Sequence, residues 1–240
     1  MGVRGLTTFL HQNSFLSQRS LGWSEEESRV IIVDGNGFVY WLFMKYDLIA
    51  TPDYSRADAI LFKIFDRFQR VNVQLVFVFD GPLELKKLRC KLERLSSQAQ
   101  AIVNPLDHCS NTLPLPLLAF DCIFQFLHKH CAVFSEDMGV VNRHFPHSFV
   151  HSVGEADCVI VHLAMRMKAY GILSNDSDMI IFNNSPNKEV SIPLIPLWSM
   201  QWSPDEQPER IYFSVVERER VAAAFSVPSE VSPLTNFSSG

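Results

Sequence analysis

The chain has 240 residues, 47% of them hydrophobic, which is enough to bury one substantial core, and we predict one domain followed by a tail. Its 21 Lys and Arg residues against 26 Asp and Glu give a formal charge of -5, which excludes a polycation that coats nucleic acid nonspecifically. Any nucleic-acid binding must therefore use a local basic patch. No hydrophobic run approaches the roughly 18 residues of a membrane span, and the N-terminus lacks the pattern of a secretory signal, so we expect an intracellular protein that is not secreted.

The cysteines indicate reduced thiols. No two of them form a CxxC pair, and their number is odd. Free cysteine is commonly buried, so we predict reduced, buried, structural cysteines in an intracellular compartment. They are Cys90, Cys109, Cys122, Cys131 and Cys158.

Short apolar runs predict the strands of a buried sheet. Residues 29–33 and 75–79 are such runs, and an Asp-Gly pair follows each of them. Runs of this kind suit strands covered on both faces, as in a parallel sheet. Further strands are predicted over 149–153, 171–173 and 179–182, and helices over 57–70, 83–98, 115–130 and 155–170. The alternation of strands and helices predicts a doubly wound α/β domain.

The pattern changes toward the C-terminus. Periodicity fades from about residue 183, and residues 202–209 indicate a polar loop. A helix is predicted over 215–225. The Pro- and Ser-rich residues from 226 onward are predicted to be disordered.

Carboxylates recur at the ends of the predicted elements. Taken singly, each can be explained as a helix cap or an Asx-type turn. Taken together, they would meet at the carboxyl edge of the sheet, where open α/β sheets bind ligands, and they would repel one another without a cation. Mg²⁺ or Mn²⁺ is the usual compensation, and two ions about 4 Å apart would fit this many ligands. The acids are Asp34, Asp80, Glu155, Asp157, Asp176 and Asp178.

A basic stripe and an aromatic residue lie near these acids in the sequence. Lys87, Lys91 and Arg94 share one side of the helix predicted over 83–98. They form either a solvated face or a phosphate-binding surface, and we interpret Lys87 and Arg94 as holding a scissile phosphate. Tyr40 either packs in the core or offers a stacking face for a base.

Three histidines raise the question of a zinc site. They are His144, His147 and His151, and no Cys or acidic partner completes a tetrahedral set at matching spacing. The segment also contains Pro146, and we predict it to lie on the surface. We therefore do not interpret these residues as zinc ligands.

Five motifs, in this order and spacing, resemble the flap endonuclease/XPG superfamily of PIN-like nucleases, and most closely its asteroid-homologue group. They cover residues 1–185, and Pro196 to Trp202 is similar to the segment that follows in asteroid proteins. The motifs are Met1-Gly2-Val3-Arg4-Gly5-Leu6, Val33-Asp34-Gly35, Val78-Phe79-Asp80-Gly81, Gly154-Glu155-Ala156-Asp157 and Ser174-Asn175-Asp176-Ser177-Asp178.

The resemblance implies a PIN-like, three-layer α/β fold with a mostly parallel central sheet flanked by helices. It implies hydrolysis of DNA near junctions of single strand and duplex, with two Mg²⁺ or Mn²⁺ ions held by the six acids. By the same resemblance Lys87 and Arg94 are the catalytic basic pair, Tyr40 stacks on a base and Gly2 lies near the bound DNA. DNA-repair partners and a nuclear location are also implied.

The chain departs from the family pattern in two places. A further acidic ligand in a Gly-x-Asp context is missing, so we expect residues 1–185 to form the nuclease region and 186–240 a truncated, partly disordered start of a C-terminal region. The link over 131–146 is also longer than usual. An inactive PIN-like module that binds nucleic acid or protein therefore stays an alternative. A haloacid-dehalogenase-type phosphatase ranks last, because Asn36 stands where its second Asp is required.

Overall fold

The computed structural model describes residues 16–23, 28–82, 88–89, 92–93, 95–96, 114–133, 147–176, 178–179, 192–202 and 210–216. Four helices are bounded in these segments: α1 (Gly35–Lys45), α2 (Tyr54–Arg70), α3 (Ala119–His130) and α4 (Ala156–Arg166). The strands are β1 (Leu16–Gly22), β2 (Arg29–Asp34), β3 (Val73–Phe79), β4 (Ala132–Val133), β5 (Ser148–His151), β6 (Gly171–Leu173), β7 (Leu194–Ile195), β8 (Gln201–Trp202) and β9 (Arg210–Val216). A 3-10 turn spans Leu197–Ser199.

Within the described segments these strands form one sheet. Its order is β1-β9-β7-β6-β2-β3-β5-β4, and β8 pairs with β9 beside that path. The strands from β7 to β4 run parallel, while β9 runs antiparallel to β1, β7 and β8. The predicted mostly parallel sheet is confirmed, with an antiparallel extension at one edge.

Alternating residues of the central strands build a core on each face of the sheet. In β2, Ile31 and Val33 pack on the side of α1, α2 and α3, whereas Ile32 packs on the side of α4. Because side chains alternate along a strand, a fully apolar strand must be covered on both faces. The apolar runs predicted this burial on both faces, and the result is the three-layer arrangement that the family resemblance implies.

Helix α2 shows how the sequence fixes a local element. Asp53 precedes it, and its side chain accepts a hydrogen bond from the backbone N–H of Arg56, which satisfies a donor at the start of the helix. Ala57, Leu61 and Ile64 then recur at helical spacing and are buried. The prediction of a helix over 57–70 is therefore confirmed, with three more residues at its start.

Two predicted elements are wrong where the structure describes them. Met179 was predicted to begin a strand, but Asp178 and Met179 are helical, because the Asp176 side chain and carbonyl accept their N–H groups at 3.0 and 3.4 Å. Val215 was predicted to begin a helix, but it belongs to β9 and pairs with Ser17 of β1. Residues 180–182 and 217–225 lie outside the described segments.

The predicted surface position of the histidine segment is wrong for His147, whereas His151 is exposed as predicted. His147 is 1% exposed, and its ring lies edge-on against Phe65 at 4.5 Å between centroids. Its Nδ1 accepts the N–H of Leu75 at 3.1 Å, and Nε2 lies 3.3 Å from the carbonyl oxygen of Phe65. This pairing identifies the neutral Nε2–H tautomer. Both ring nitrogens are thus used by the fold, and the wrong prediction came from treating Pro146 as a surface signal. His144 lies outside the described segments.

The cysteine prediction holds in part. Cys122, Cys131 and Cys158 are free thiols, Cys131 is buried, and Cys158 is exposed on α4, so burial is wrong for Cys158. Burial raises the pKa of Cys131 to about 12, and burial together with Asp58 raises the pKa of Cys122 to about 12. None of the helices in the described segments has the length and apolar character needed to cross a bilayer.

Candidate carboxylate site

Three adjacent parallel strands deliver acids to one edge of the sheet. β2 lies between β6 and β3, and Asp34 is its last residue. Asp80 directly follows β3, and Asp176 lies three residues beyond the end of β6. Because the strands are parallel, all three acids leave the sheet at its carboxyl edge. Glu155 and Asp157 begin α4, which follows the neighbouring strand β5.

Asp34 is the most enclosed of these acids. Its Oδ1 accepts the N–H of Gly37 at 2.9 Å, which caps α1, and its Oδ2 accepts the hydroxyl of Ser174 at 2.7 Å. A Cβ at position 37 would lie 2.4 Å from Oδ2, so a side chain there would displace the carboxylate from this position. Burial raises the pKa of Asp34, the two hydrogen bonds oppose this, and the charges of Asp176 and Asp80 raise it further.

Asp80 connects the first turns of two helices. Its Oδ2 accepts Nδ2 of Asn36, in α1, at 2.6 Å. Its Oδ1 accepts the N–H of Ala156, the first residue of α4, at 2.8 Å. Helix N-termini carry unpaired N–H groups and favour negative charge. Asp80 is therefore stabilised by two helices that approach it from opposite faces of the sheet.

Backbone hydrogen bonds join the Asp80 and Glu155 segments. The N–H of Gly81 lies 2.7 Å from the carbonyl oxygen of Gly154 and 3.0 Å from Oγ of Ser152. The N–H of Ser152 donates to the carbonyl oxygen of Phe79 at 2.9 Å, and its hydroxyl donates to Gly154. A Cβ at position 81 would lie 2.0 Å from the carbonyl oxygen of Ser152, so the close approach of the two segments requires glycine at position 81.

The raised pKa of Asp157 shows the effect of the neighbouring acids on one member of the site. Its pKa is raised to about 6, first by burial and then by the charges of four other acids. These acids are Asp176, Asp34, Glu155 and Asp80. Four of the other five acids predicted from the sequence therefore act on Asp157, and their effect is repulsive.

The sixth acid, Asp178, is placed beside this group by a short turn. The N–H of Asp176 donates to Oγ of Ser174 at 2.9 Å, and the N–H of Asp178 donates to Oδ1 of Asp176 at 3.0 Å. Ser174 thus connects the turn to Asp34 through a single hydroxyl. The six acids of the sequence prediction lie at one edge of the sheet.

The site suits a hard divalent cation in donor chemistry and charge. Its six acids offer carboxylate oxygens, which Mg²⁺ and Mn²⁺ prefer, and the repulsion on Asp157 would be relieved by a cation. In the segments that the structure describes, no three His, Cys, Asp or Glu side chains are placed to share one ion. The acids therefore fit Mg²⁺ or Mn²⁺ by the type of donor atom that they offer.

The other predicted site residues are only partly described. Tyr40 lies in α1 and is 40% exposed, so its ring is not part of the core. Gly2, Lys87, Lys91 and Arg94 lie outside the described segments. The described residues of the helix predicted over 83–98 are helical.

Three residues of the site were not predicted from the sequence. Asn36 was used only as an argument against a phosphatase, and no site role was assigned to Ser152 or Ser174. A sequence signal existed for Asn36 and Ser174, because each lies within two residues of a predicted ligand. Ser152 stands three residues before Glu155, where its hydrogen bond to Gly81 could not be foreseen.

Comparison with known proteins identifies the fold. No protein-family model matches the chain. Its sequence also matches no curated protein. The catalytic core of Rad2 in complex with DNA substrate superposes with a TM-score of 0.54 at 13% identity, over 99% of this chain and 66% of that one. A second such Rad2 complex gives 0.51 at 14% identity, over 93% and 58%.

Human GEN1 in complex with Holliday junction DNA gives a TM-score of 0.51 at 12% identity, over 95% of this chain and 47% of GEN1. The chain thus spans from about half to about two thirds of the proteins it matches. These likenesses confirm the predicted α/β fold class, with a central sheet flanked by helices.

Proposed function

We propose that this chain is a divalent-metal-dependent, structure-specific DNA endonuclease of the flap endonuclease/XPG superfamily. The observation that supports this is the meeting of acids from β2, β3, α4 and the turn after β6, with the pKa of Asp157 raised to about 6 by burial and by its acidic neighbours. A nuclease of this kind binds its cations through several acids at the carboxyl edge of the sheet, which repel one another when no cation is bound. The fold shared with the Rad2 core agrees with the proposal.

The acids would hold Mg²⁺ or Mn²⁺, and we propose two ions. When bound, these ions supply an activated water and charge stabilisation for the leaving oxygen of a phosphodiester. The protein's part is to hold the acids in place. Asp34 and Asp80 are fixed by hydrogen bonds to both of their oxygens, and each oxygen retains a lone pair for a ligand. The proposed ligands are Asp34, Asp80, Glu155, Asp157, Asp176 and Asp178.

The substrate would be held by residues around the acids. Lys87, Lys91 and Arg94 would offset the repulsion between the acidic edge and the phosphates, with Lys87 and Arg94 on the scissile phosphate. Tyr40, which is exposed on α1, would stack on an unpaired base, and Gly2 would lie beside the DNA. These assignments come from the sequence resemblance.

The biological setting is part of the same proposal. We propose the asteroid-type branch of the superfamily, a role in DNA repair with repair proteins as partners, and a nuclear location. We also propose that residues 1–185 carry the nuclease region, with 186–240 beginning a C-terminal region. The preferred substrate is DNA with a junction of single strand and duplex, and Rad2 and GEN1 were solved with DNA substrate and Holliday junction DNA, respectively.

A second function is favoured by one observation. Both oxygens of Asp34 and both oxygens of Asp80 already accept hydrogen bonds from the protein, so these acids have structural partners of their own. The chain would then serve as a PIN-like module that binds nucleic acid or protein without cutting it. The same fold and the same surface would then be used for recognition alone. The endonuclease would hydrolyse DNA, whereas the binding module would bind its partner without hydrolysis.

A cleavage assay separates these functions. The full-length protein is incubated with Mg²⁺ or Mn²⁺ and with flap, four-way-junction, single-stranded and duplex DNA. We expect cleavage of the branched substrates, inhibition by EDTA, and loss of cleavage in Asp80→Ala and Asp176→Ala with folding preserved.

Asp66→Ala is the matched control, because Asp66 is a half-buried acid on α2 that pairs with Arg70 at 2.8 Å, and α2 carries none of the acids of the site. It should leave cleavage unchanged. Binding without cleavage by the native protein would refute the endonuclease and leave the binding module. Full turnover in Asp80→Ala or Asp176→Ala would remove those residues from the mechanism.

A further inference from the structure

Asn36 forms hydrogen bonds with Asp80 through both the NH₂ group and the oxygen of its side-chain amide. Nδ2 lies 2.6 Å from Oδ2 of Asp80, and Oδ1 lies 3.4 Å from the backbone nitrogen of Asp80. The amide orientation is fixed by chemistry, since an ionised carboxylate can only accept and a backbone N–H can only donate. Asn36 therefore holds one defined orientation of the residue that directly follows β3.

The carboxylate of Asp80 depends on such partners for its orientation. The torsion that turns a carboxylate about its Cβ–Cγ bond is broad, so the backbone alone does not set it. Asn36 holds Oδ2, and the N–H of Ala156 holds Oδ1 at 2.8 Å. Two donors on two oxygens define the plane of the carboxylate.

Asn36 is also a neutral donor. A Lys or Arg in its place would compensate the charge of Asp80, whereas an amide satisfies the oxygen and leaves the negative charge intact. A cation entering the site would therefore meet an oriented carboxylate that Asn36 has not neutralised.

We infer that Asn36 is a positioning residue, which sets the Asp80 carboxylate in the orientation required to bind a divalent cation at the acidic edge. This inference rests on the proposed metal-dependent function. It assigns a role to a side chain that does not itself ligate the ion. Partners of metal ligands that act in this way typically contribute about 10–100-fold to metal affinity.

The test measures Mn²⁺ affinity by electron paramagnetic resonance, and folding by thermal unfolding in EDTA. In Asn36→Ala we expect at least about tenfold weaker Mn²⁺ binding, with the variant still folded. Gln18→Ala is the matched control, because Gln18 also donates from a side-chain amide, to Oγ of Ser214 at 2.9 Å on β9. Its Mn²⁺ affinity should equal that of the native protein.

A second variant separates positioning from folding. Ile64→Val removes one methyl group from the buried face of α2, which carries none of the acids of the site, so it should lower the unfolding temperature while Mn²⁺ affinity stays native. A purely structural role of Asn36 predicts instead that Mn²⁺ affinity falls together with stability in both variants.

Each outcome is decisive. Native Mn²⁺ affinity in Asn36→Ala, or Mn²⁺ binding weakened equally in Ile64→Val, would overturn the role of Asn36 and leave the proposed function standing. Absence of Mn²⁺ binding by the native protein would overturn the proposed function, and with it this inference. Weak binding in Asn36→Ala beside native binding in Ile64→Val supports both.

Discussion

The hydroxyl of Ser174 donates a hydrogen bond to Oδ2 of Asp34 at 2.7 Å, across a separation of 140 residues in the chain. The same hydroxyl oxygen accepts the N–H of Asp176 at 2.9 Å. One fully buried side chain therefore ties the end of β2 to the turn that follows β6. The carboxylate of Asp34 is oriented by this contact and by the N–H of Gly37.

Ser174→Ala should destabilise the fold by about 2 kcal/mol, because the half-buried carboxylate of Asp34 loses a donor. It should also raise the pKa of Asp34 further, since the Ser174 hydrogen bond lowers that pKa in the native protein. Urea unfolding at pH 7 measures the first effect. Ser20→Ala is the control, because Ser20 is exposed on β1. Equal stability of the two variants would contradict the role of Ser174.

Asp157→Asn should stabilise the protein when EDTA is present. The pKa of Asp157 is raised from 3.8 to about 6, first by burial, so the folded state holds more protons than the unfolded chain between about pH 4 and pH 6. The charged form consequently costs stability above pH 6. We expect a gain of about 1–2 kcal/mol at pH 8, allowing for solvent screening, which disappears below about pH 4.

Thermal unfolding of the native protein and of Asp157→Asn, each followed from pH 4 to pH 8, provides the measurement. Asp47→Asn, at an acid in the turn after α1, is the control and should show no such pH dependence of its stability difference. A constant difference between native protein and Asp157→Asn from pH 4 to pH 8 would rule out the repulsion.

His147 should make the fold sensitive to acid. Burial lowers its pKa from 6.5 to about 4, against the opposing effect of the Phe65 carbonyl, so below pH 6.5 the unfolded chain binds a proton that the folded protein does not. Stability should therefore fall by about 3 kcal/mol as the pH drops from 6.5 to 4. Denaturant unfolding of the native protein and of His147→Gln tests this.

The variant should lose that part of the pH dependence. His151→Gln is the control, since His151 is exposed at the end of β5, and it should retain the native slope. If His147→Gln showed the same slope as the native protein, another group would be responsible for acid sensitivity.

Gly81→Ala should unfold the site. The new Cβ would lie 2.0 Å from the carbonyl oxygen of Ser152. This backbone atom cannot move away without breaking the hydrogen bonds that join Gly81 to Ser152 and Gly154. We expect a loss of more than about 3 kcal/mol. In Gly22→Ala the nearest atom would be 3.7 Å away, in the Arg210 side chain, so that variant should lose little. Similar unfolding temperatures for both would refute this account.

Lys87→Ala should weaken DNA binding and reduce its salt dependence. Removing one phosphate contact should lower the slope of log affinity against log salt by about 1. Fluorescence anisotropy with a flap substrate in Ca²⁺ gives the slopes. Lys63→Ala, at an exposed lysine on α2, is the control and should keep the native slope. Equal slopes in native protein and Lys87→Ala would remove Lys87 from the DNA surface.

The strands β2 and β3 could be predicted because apolar, β-branched runs between polar residues are a local signal. β1 could not, since only Leu21 of its seven residues is buried, and its partner β9 lies near the other end of the described chain. The helix predicted over 215–225 failed at Val215 and Val216 for the same reason. Pairing with β1 outweighs local propensity there.

The sequence by itself determined the α/β class, the central parallel strands and the order in which acids follow them, because strand periodicity and turn residues act within a few positions. Only the tertiary structure decided that Asn36 holds Asp80, that Ser174 holds Asp34 and that His147 is buried. Burial and hydrogen bonding depend on neighbours brought from distant parts of the chain. The raised pKa of Asp157 has the same origin, since desolvation arises only when the layers close.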